Sequence, residues 1–210
     1  MRNPWLDIPL PDYEGHMASP AIGQAALLAE LFAEMLVTWS PESVAVLGCA
    51  GGNGFERVTP ETTRRLVGID LNPEYLEQAR TRFAGRIAGL ELYAGDLQTT
   101  DFGFSPVDLV YAALIFEYVD AAAALPRIRN MLCPDGLLVT VVQLAGEGIP
   151  EIGPSLYPSL ASLASIMHLV LPKELRSVAA RHGFRQIGER TAQAGDKRFQ
   201  VQTFRRHGPG

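Results

Sequence analysis

The residues with the clearest chemical potential lie in a glycine-rich run near position 50. Residues 44–54 read Val-Ala-Val-Leu-Gly-Cys-Ala-Gly-Gly-Asn-Gly, with small residues at positions 48, 50, 51, 52 and 54. Such a run lets the backbone turn tightly and approach a ligand closely. In α/β proteins a turn of this kind follows a buried strand and precedes a helix. The run predicts a ligand-binding turn containing Gly48, Cys49, Ala50 and Gly52, although a tight turn without a ligand has a similar composition.

Two aspartates follow later apolar runs at positions suited to a nucleoside. Asp70 ends the second run, 22 residues after Gly48. A ribose-binding acid is expected about 20 residues beyond a dinucleotide-binding glycine loop. Its alternative role is a helix cap, but Asn72 already suits that position. Asp96, in the sequence Gly95-Asp96-Leu97, follows the third run and could hold an adenine amino group, or occupy an ordinary turn.

The elements that must position these residues follow a strand–helix alternation. The five short apolar runs do not alternate with polar residues, which is typical of strands buried on both faces. They span 44–48, 66–70, 90–94, 107–112 and 137–142. A helical stretch is expected after the glycine loop, and clearer helices are predicted from Asn72 and over 121–132, the latter ending in a turn at 133–136. This alternation predicts a parallel sheet with helices on both sides.

The two ends of the chain differ from this pattern. Residues 1–18 are proline-rich and are expected to be irregular, and a helix is predicted from Ser19-Pro20 to about residue 38, with Gln24 on its polar side. Near the other end, a helix over 172–182 is capped by Gly183. Segments 184–190 and 198–204 then flank Ala-Gly-Asp-Lys at 194–197, a hairpin signal. The fold predicted is therefore α/β, Rossmann-like and doubly wound, with a mostly parallel seven-stranded sheet ending in an antiparallel hairpin.

These motifs together resemble the class I S-adenosylmethionine-dependent methyltransferases over roughly residues 20–205. The family's glycine motif matches residues 47–52, with Ala50 where glycine is usual, and its ribose and adenine acids match Asp70 and Asp96. Its fourth-strand motif matches 107–110 running into 113–119, and the turn before its fifth strand matches 131–138. Two departures are Val46, where many relatives carry an acid for the methionine ammonium, and Phe116-Glu117, where many small-molecule members carry histidine.

The resemblance implies S-adenosyl-L-methionine as cofactor and methyl transfer as the reaction. The donor-site residues it implies are Gly48, Cys49, Ala50, Gly52, Asp70, Leu71, Asp96, Leu97 and Ala112. It also implies one methyltransferase domain over 1–210, made of an N-terminal lid and helix (1–40), a donor-binding core (43–145), an insertion (146–171), and a last helix and hairpin (172–206).

Acceptor contacts are expected from segments outside the shared core. The candidate residues are Tyr13, His16, Glu117, Tyr118, Tyr157 and His168. Among them His16, Glu117 and His168 are candidate bases, but methyl transfer needs a base only if the acceptor loses a proton. Residues 152–172 contain no charged side chain although 20% of the whole chain is charged. This insertion is predicted either to cover a small, neutral or largely apolar acceptor, with Tyr157, Met167 and His168 facing it, or to pack as core or interface against Leu27 and Leu31 of the first helix.

The composition of the chain also argues against several kinds of partner and site. The net charge of −5 and the scattered basic residues argue against nucleic acid as a partner. Two cysteines without paired spacing and four dispersed histidines predict no metal site. With no signal peptide or apolar span, a cytoplasmic protein without membrane contact is expected, as a monomer or homodimer.

Two other functions compete with methyl transfer. One is a non-catalytic protein that binds the same donor. The other is a nicotinamide dehydrogenase, whose fingerprint needs glycine at 50 and 53, where this chain has alanine and asparagine.

Overall fold

A computed structural model describes residues 2–20, 22–146 and 155–208. Within these residues, five α-helices and seven strands alternate along most of the chain. The helices are α1 (Leu10–Ala18), α2 (Gln24–Trp39), α3 (Pro73–Phe83), α4 (Ala121–Met131) and α5 (Pro172–Arg181). The strands are β1 (Ser43–Leu47), β2 (Arg65–Asp70), β3 (Leu90–Ala94), β4 (Val107–Ala113), β5 (Leu132–Gln143), β6 (Phe184–Ala194) and β7 (Lys197–Arg206).

The seven strands form one sheet in the order β3-β2-β1-β4-β5-β7-β6. The first five strands of that order are parallel to one another. β7 pairs antiparallel with both β5 and β6, so the hairpin closes one edge of the sheet. This is the predicted fold, and the reversal of strand order between β1 and β4 places a crevice at their carboxyl ends.

Apolar side chains cover both faces of the sheet, as the uniformly apolar strands predicted. On one face, α2 contributes Phe32 and Leu36 to a core with Val44 and Leu66. On the other face, α4 and α5 contribute a second group of buried residues, which includes Leu125, Ile128, Leu175 and Ala179. Helices on both sides confirm the doubly wound arrangement.

The N-terminal expectation was wrong in two respects. Residues 10–18 form α1 rather than irregular chain, and Ser19 caps the end of that helix through its N–H to the His16 carbonyl. The next helix therefore begins only at Gln24, after Gly23 adopts a left-handed conformation at φ 62°. Gln24 is also buried rather than on a polar outer face. Proline at the start of α1 is compatible with a helix because the first turn needs no N–H donor there.

Smaller differences concern the connections. The glycine loop leads into a short 3-10 helix, Phe55–Arg57, rather than a longer helical stretch. β5 begins at Leu132 and includes the residues predicted as a turn, with Asp135 at φ 61° and a shift in pairing register between Val107 and Leu109. The local Pro-Asp-Gly signal thus marks an irregularity within a strand pair and not a separate turn.

Candidate active site

A cavity opens at the carboxyl ends of β1, β2, β3 and β4. Predicted donor-site residues that follow the first three of these strands line it: Gly48, Ala50, Asp70, Leu71, Asp96 and Leu97. Predicted acceptor-site residues line the same cavity: Tyr13, His16, Glu117 and Tyr118. The structure therefore brings together residues separated by up to half of the chain.

The glycine loop forms one wall through backbone conformations that disfavour side chains. Gly48 has φ 64°, and a Cβ added to it would lie 2.9 Å from Ile115 Cδ1. Ala50, at the position where the family usually has glycine, also adopts a left-handed φ of 47°. An L-residue pays a conformational cost of roughly 1–2 kcal/mol in this region. The loop keeps its tight path at Ala50 despite that cost.

Asp70 links this loop to the end of β2. Its Oδ2 accepts a hydrogen bond from the Ala50 N–H at 2.8 Å, and its Oδ1 accepts one from the Asn72 N–H at 2.9 Å. Burial raises the pKa of Asp70 to about 6, while the backbone amides of Asn72, Ala50 and Leu71 oppose that rise. Each carboxylate oxygen can accept more than one hydrogen bond, so capacity remains for the hydroxyls of a ribose.

Asp96 occupies the corresponding place after β3. Its Oδ1 accepts a hydrogen bond from the Gln98 N–H at 2.8 Å, and its own N–H donates to Thr100 Oγ1 at 3.1 Å. These bonds fix a partly exposed carboxylate at the cavity wall beside the apolar side chain of Leu97. A carboxylate next to an apolar surface suits a planar base that carries an amino group.

Three other predicted donor residues lie behind this wall. Gly52 lines a neighbouring depression, and a Cβ there would meet Phe83 and Phe55 ring carbons at 2.7 and 3.0 Å. Cys49 and Ala112 are buried. Packing within the protein therefore accounts for glycine at 52, and direct donor contact by these three residues stays a prediction.

The N-terminal segment covers the cavity. The sequence predicted a lid in this part of the chain but not the contacts that hold it. The Trp5 carbonyl accepts from Asn72 Nδ2 at 3.0 Å, and the Ile8 carbonyl accepts from the Tyr75 hydroxyl at 2.9 Å. Trp5 also contacts Tyr13 and Tyr118, with ring centroids 5.5 and 5.1 Å apart and planes nearly perpendicular. We call residues 3–18 the N-terminal cap.

An ion pair attaches the same cap to the glycine loop. Arg82 Nη2 donates to Glu14 Oε2 at 2.9 Å, while Arg82 Nη1 donates to the Gly51 carbonyl at 3.2 Å. α1 is thereby connected both to α3 and to the loop that forms the cavity wall.

A buried polar cluster occupies another part of the cavity lining. It consists of Gln24, Glu117, Gln143 and Lys197, with His16 nearby. The Gln143 N–H donates to Glu117 Oε1 at 2.7 Å, and Lys197 Nζ donates to Gln143 Oε1 at 3.1 Å. Sequence reasoning found Glu117 and His16 but missed the other three. Each of those three lies on a different element, with no motif linking them.

Burial shifts the titration of this polar cluster. Desolvation raises the pKa of Glu117 to about 7, opposed by the Gln143 amide and by the positive charge of Lys197. Desolvation also lowers the pKa of Lys197, against the attraction of Glu117. Burial and the charge of Lys197 lower the pKa of His16. Glu117 can therefore exchange a proton near neutral pH.

The described part of the insertion also closes the cavity. It contains a 3-10 helix, Pro158–Ser165, from which Leu160 and Leu163 line the cavity together with Met167. These residues face the N-terminal cap. The part of the insertion that the structure describes does not supply the partner of α2, because Leu31 packs within the sheet core. Residues 147–154 of the predicted insertion lie outside the described residues.

The two remaining acceptor candidates lie away from the cavity lining. Tyr157 packs with Ile8, Leu160 and Leu163, and its ring fills the space beside Gly15. His168 is exposed and lines a separate depression near α5, although its N–H donates to the Glu117 carbonyl at 3.0 Å. Their contact with an acceptor stays a prediction.

A family model described as a methyltransferase domain matches residues 45–140, the segment that supplies the glycine loop, Asp70 and Asp96. This match covers just under half of the 210-residue chain and lies within the segment whose motifs resemble the class I S-adenosylmethionine-dependent methyltransferases. The fold agrees: the N-methyltransferase NodS from Bradyrhizobium japonicum WM9, solved with S-adenosyl-L-homocysteine, has a TM-score of 0.66 at 19% identity, covering 87% of each chain. The predicted fold is confirmed, and the match to a methyltransferase domain supports the predicted S-adenosylmethionine cofactor.

Two curated relatives match parts of this chain. One is an uncharacterized 37.1 kDa protein in transposon TN4556 of Streptomyces fradiae, 33% identical over 47% of this chain and 29% of the relative. The other is the carboxy-S-adenosyl-L-methionine synthase of Wolinella succinogenes, 28% identical over 62% of this chain and 58% of the relative. The chain spans less than two thirds of the length of either relative.

Two further properties bear on function. Among the described residues, no group of three or more histidine, cysteine, aspartate or glutamate side chains could hold a metal ion. Within the same part of the chain, no helix is long and apolar enough to cross a membrane.

Proposed function

We propose that the protein transfers the methyl group of S-adenosylmethionine to a small molecule bound in the same cavity. One observation carries this proposal: the cavity joins the donor-site acids Asp70 and Asp96 to the buried polar cluster around Glu117. A protein that only bound the donor would need Asp70 and Asp96 but not the buried polar cluster. The polar cluster around Glu117 supplies polar groups to a further ligand.

The residues present fit the donor. Asp70 is buried, fixed by two backbone amides, and retains lone pairs for ribose hydroxyls. Asp96 suits the adenine amino group, and Leu71 and Leu97 offer apolar surface to the ring. Gly48 keeps side-chain atoms out of the space beside Ile115, so the backbone can approach the methionine part.

Catalysis then rests mainly on positioning. The bound donor supplies an electrophilic methyl carbon on a positively charged sulfur. The cavity walls align the acceptor with that carbon, and alignment of two reactants can contribute roughly 7–11 kcal/mol. The N-terminal cap and the 3-10 helix of the insertion exclude water from the reacting atoms.

The shape of the cavity favours a small acceptor. Trp5, Tyr13 and Tyr118 from one side and Leu160, Leu163 and Met167 from the other form mostly apolar walls with a few polar groups between them. Such lining is typical of small-molecule sites. The acceptor is therefore a small molecule, neutral or largely apolar, that lies beneath the cap.

Methyl transfer is tested by incubating the protein with methyl-labelled S-adenosylmethionine and a panel of small amines, alcohols, phenols, thiols and carboxylic acids. We expect labelled product and stoichiometric S-adenosylhomocysteine with at least one class. Donor binding without turnover on any class would contradict the proposal and indicate a binding protein.

A further inference from the structure

The buried polar cluster contains two polar atoms whose hydrogen-bonding capacity is unused. Glu117 Oε2 and Gln24 Nε2 are both buried and have no hydrogen-bond partner within the described residues. The first is a hydrogen-bond acceptor when ionised, and the second is a donor. Leaving such groups unpaired is costly, so their retention beside a cavity points to a ligand that supplies both partners.

The two residues line the same cavity, together with Gln143 and Lys197. Lys197 Nζ donates to Gln143 Oε1, and the Gln143 N–H donates to Glu117 Oε1. Gln143 therefore links Lys197 to Glu117 within the lining that Gln24 shares.

The carboxylate of Glu117 is held in a fixed orientation. Its Oε1 accepts the Gln143 N–H, and the backbone carbonyl of the same residue accepts the His168 N–H. Glu117 itself is completely buried and lines the cavity. Fixing one oxygen leaves the other, Oε2, available to a ligand in a defined position.

We propose that Glu117 is the general base for an acceptor that carries an N–H or O–H nucleophile and a nearby oxygen that accepts a hydrogen bond from Gln24. This inference rests on the proposed methyl transfer and specifies its acceptor class. Glu117 Oε2 takes the proton of the nucleophile as the new nitrogen–carbon or oxygen–carbon bond forms. The carbon–sulfur bond breaks in the same displacement, its electron pair stays on sulfur, and neutral S-adenosylhomocysteine remains.

The charges around Glu117 suit this task. Lys197 on β7 faces it as the nearby cation, His16 on α1 lies near Lys197, and Tyr118 adjoins it in sequence. Burial raises the pKa of Glu117 to about 7. A base whose pKa lies near the working pH is ionised in a large fraction of molecules and still binds a proton strongly enough to remove it from the nucleophile. A general base typically increases the rate by about 10²–10⁴-fold.

The decisive variant is Glu117→Gln, compared with the exposed carboxylate variant Glu61→Gln. With the panel member that the wild type methylates, Glu117→Gln should lower kcat by about 10²–10⁴-fold, whereas Glu61→Gln should match the wild type. In the wild type, kcat/KM should rise with pH through about 7, because only ionised Glu117 accepts a proton. That rise should be absent in Glu117→Gln and recovered in part by Glu117→Asp.

A second variant keeps the proposal testable if Glu117→Gln does not fold. Gln24→Leu should raise the KM for the acceptor and leave the pH dependence of kcat unchanged. Calorimetric titration with S-adenosylhomocysteine should give the same affinity for the wild type, Glu117→Gln and Gln24→Leu.

Four results would overturn this assignment, and they are distinguishable. Wild-type turnover retained in Glu117→Gln would exclude Glu117 as the base, while methyl transfer itself would stand. A parallel loss of S-adenosylhomocysteine affinity in either variant would place the polar cluster at the donor instead. Turnover only of nucleophiles without a removable proton would exclude the proposed acceptor class, and no wild-type turnover at all would contradict the proposed function as well.

Discussion

At the scale of single residues, Ala50 combines a strained conformation with a required contact. Its φ of 47° favours glycine, yet its N–H must reach Asp70 Oδ2. The hydrogen bond and the tight path of the loop hold the residue in place. Ala50 thus offers a direct test of whether the loop conformation is the one described.

We predict that Ala50→Gly is more stable than the wild type. Relief of roughly 1–2 kcal/mol of left-handed strain should exceed the roughly 0.4–1 kcal/mol lost to a more flexible unfolded chain. The gain is at most about 1.6 kcal/mol, and each kcal/mol corresponds to a rise of roughly 2–4 °C in melting temperature for a chain of this size.

Thermal unfolding without ligand measures this difference, and Ala45→Gly is the matched control. Ala45 is fully buried in β1, so its replacement should lower the melting temperature. If Ala50→Gly loses stability as Ala45→Gly does, the left-handed conformation at position 50 is incorrect.

Among the residues of the site, some could be predicted from the sequence and others could not. Asp70 and the glycine loop were predictable because a short local pattern fixes their place at strand ends. Gln24, Gln143 and Lys197 were not, because their proximity depends on how α2, β5 and β7 meet. A polar residue within an apolar strand, such as Gln143, was the one signal that could have drawn attention to the cluster.

At the scale of elements, the helical structure of the N-terminal cap was the main feature that the sequence did not predict. Its prolines at positions 4, 9 and 11 suggested irregular chain. However, Pro4 begins a 3-10 helix, Pro4–Leu6, Pro9 directly precedes α1, and Pro11 lies in the first turn of α1. The parallel strands and α3–α5 were predictable because their apolar periodicity is strong. Contacts between the cap and α3, such as Tyr75 with Ile8, are tertiary and leave no local pattern.

We predict that Tyr75→Phe loosens the cap and speeds ligand release. Tyr75 donates its hydroxyl hydrogen to the Ile8 carbonyl at 2.9 Å. A hydrogen bond contributes roughly 0.5–1.5 kcal/mol, so the dissociation rate of S-adenosylhomocysteine should rise about two- to tenfold. Stopped-flow displacement measures that rate.

Tyr93→Phe is the control, since its hydroxyl donates to Glu91 on β3 and not to the cap. Its dissociation rate should equal that of the wild type. Limited proteolysis of residues 3–18 should be faster in Tyr75→Phe alone. Equal rates and equal cleavage in both variants would show that the cap does not control ligand release.

At the scale of the whole molecule, different parts of the sheet serve packing and ligand binding. Its two faces are covered by apolar cores, while its carboxyl edge collects the ionisable and polar groups of the cavity. The cap and the insertion then cover that edge from outside the alternating core. Donor binding is therefore expected to depend on a few strand-end residues, and acceptor binding on the cap and the insertion that cover them.

The most direct test of this account is calorimetric titration with S-adenosylhomocysteine. The wild type should bind it and show no heat with NAD. Asp70→Asn should bind at least about tenfold more weakly, because a hydrogen bond to a charged group is worth roughly 1.5–3 kcal/mol. Asp108→Asn is the control, since Asp108 also accepts a backbone amide, from Ser43 at 2.9 Å, but at the start of β4; it should bind like the wild type. Unchanged affinity in Asp70→Asn, or binding of NAD in place of S-adenosylhomocysteine, would contradict the account.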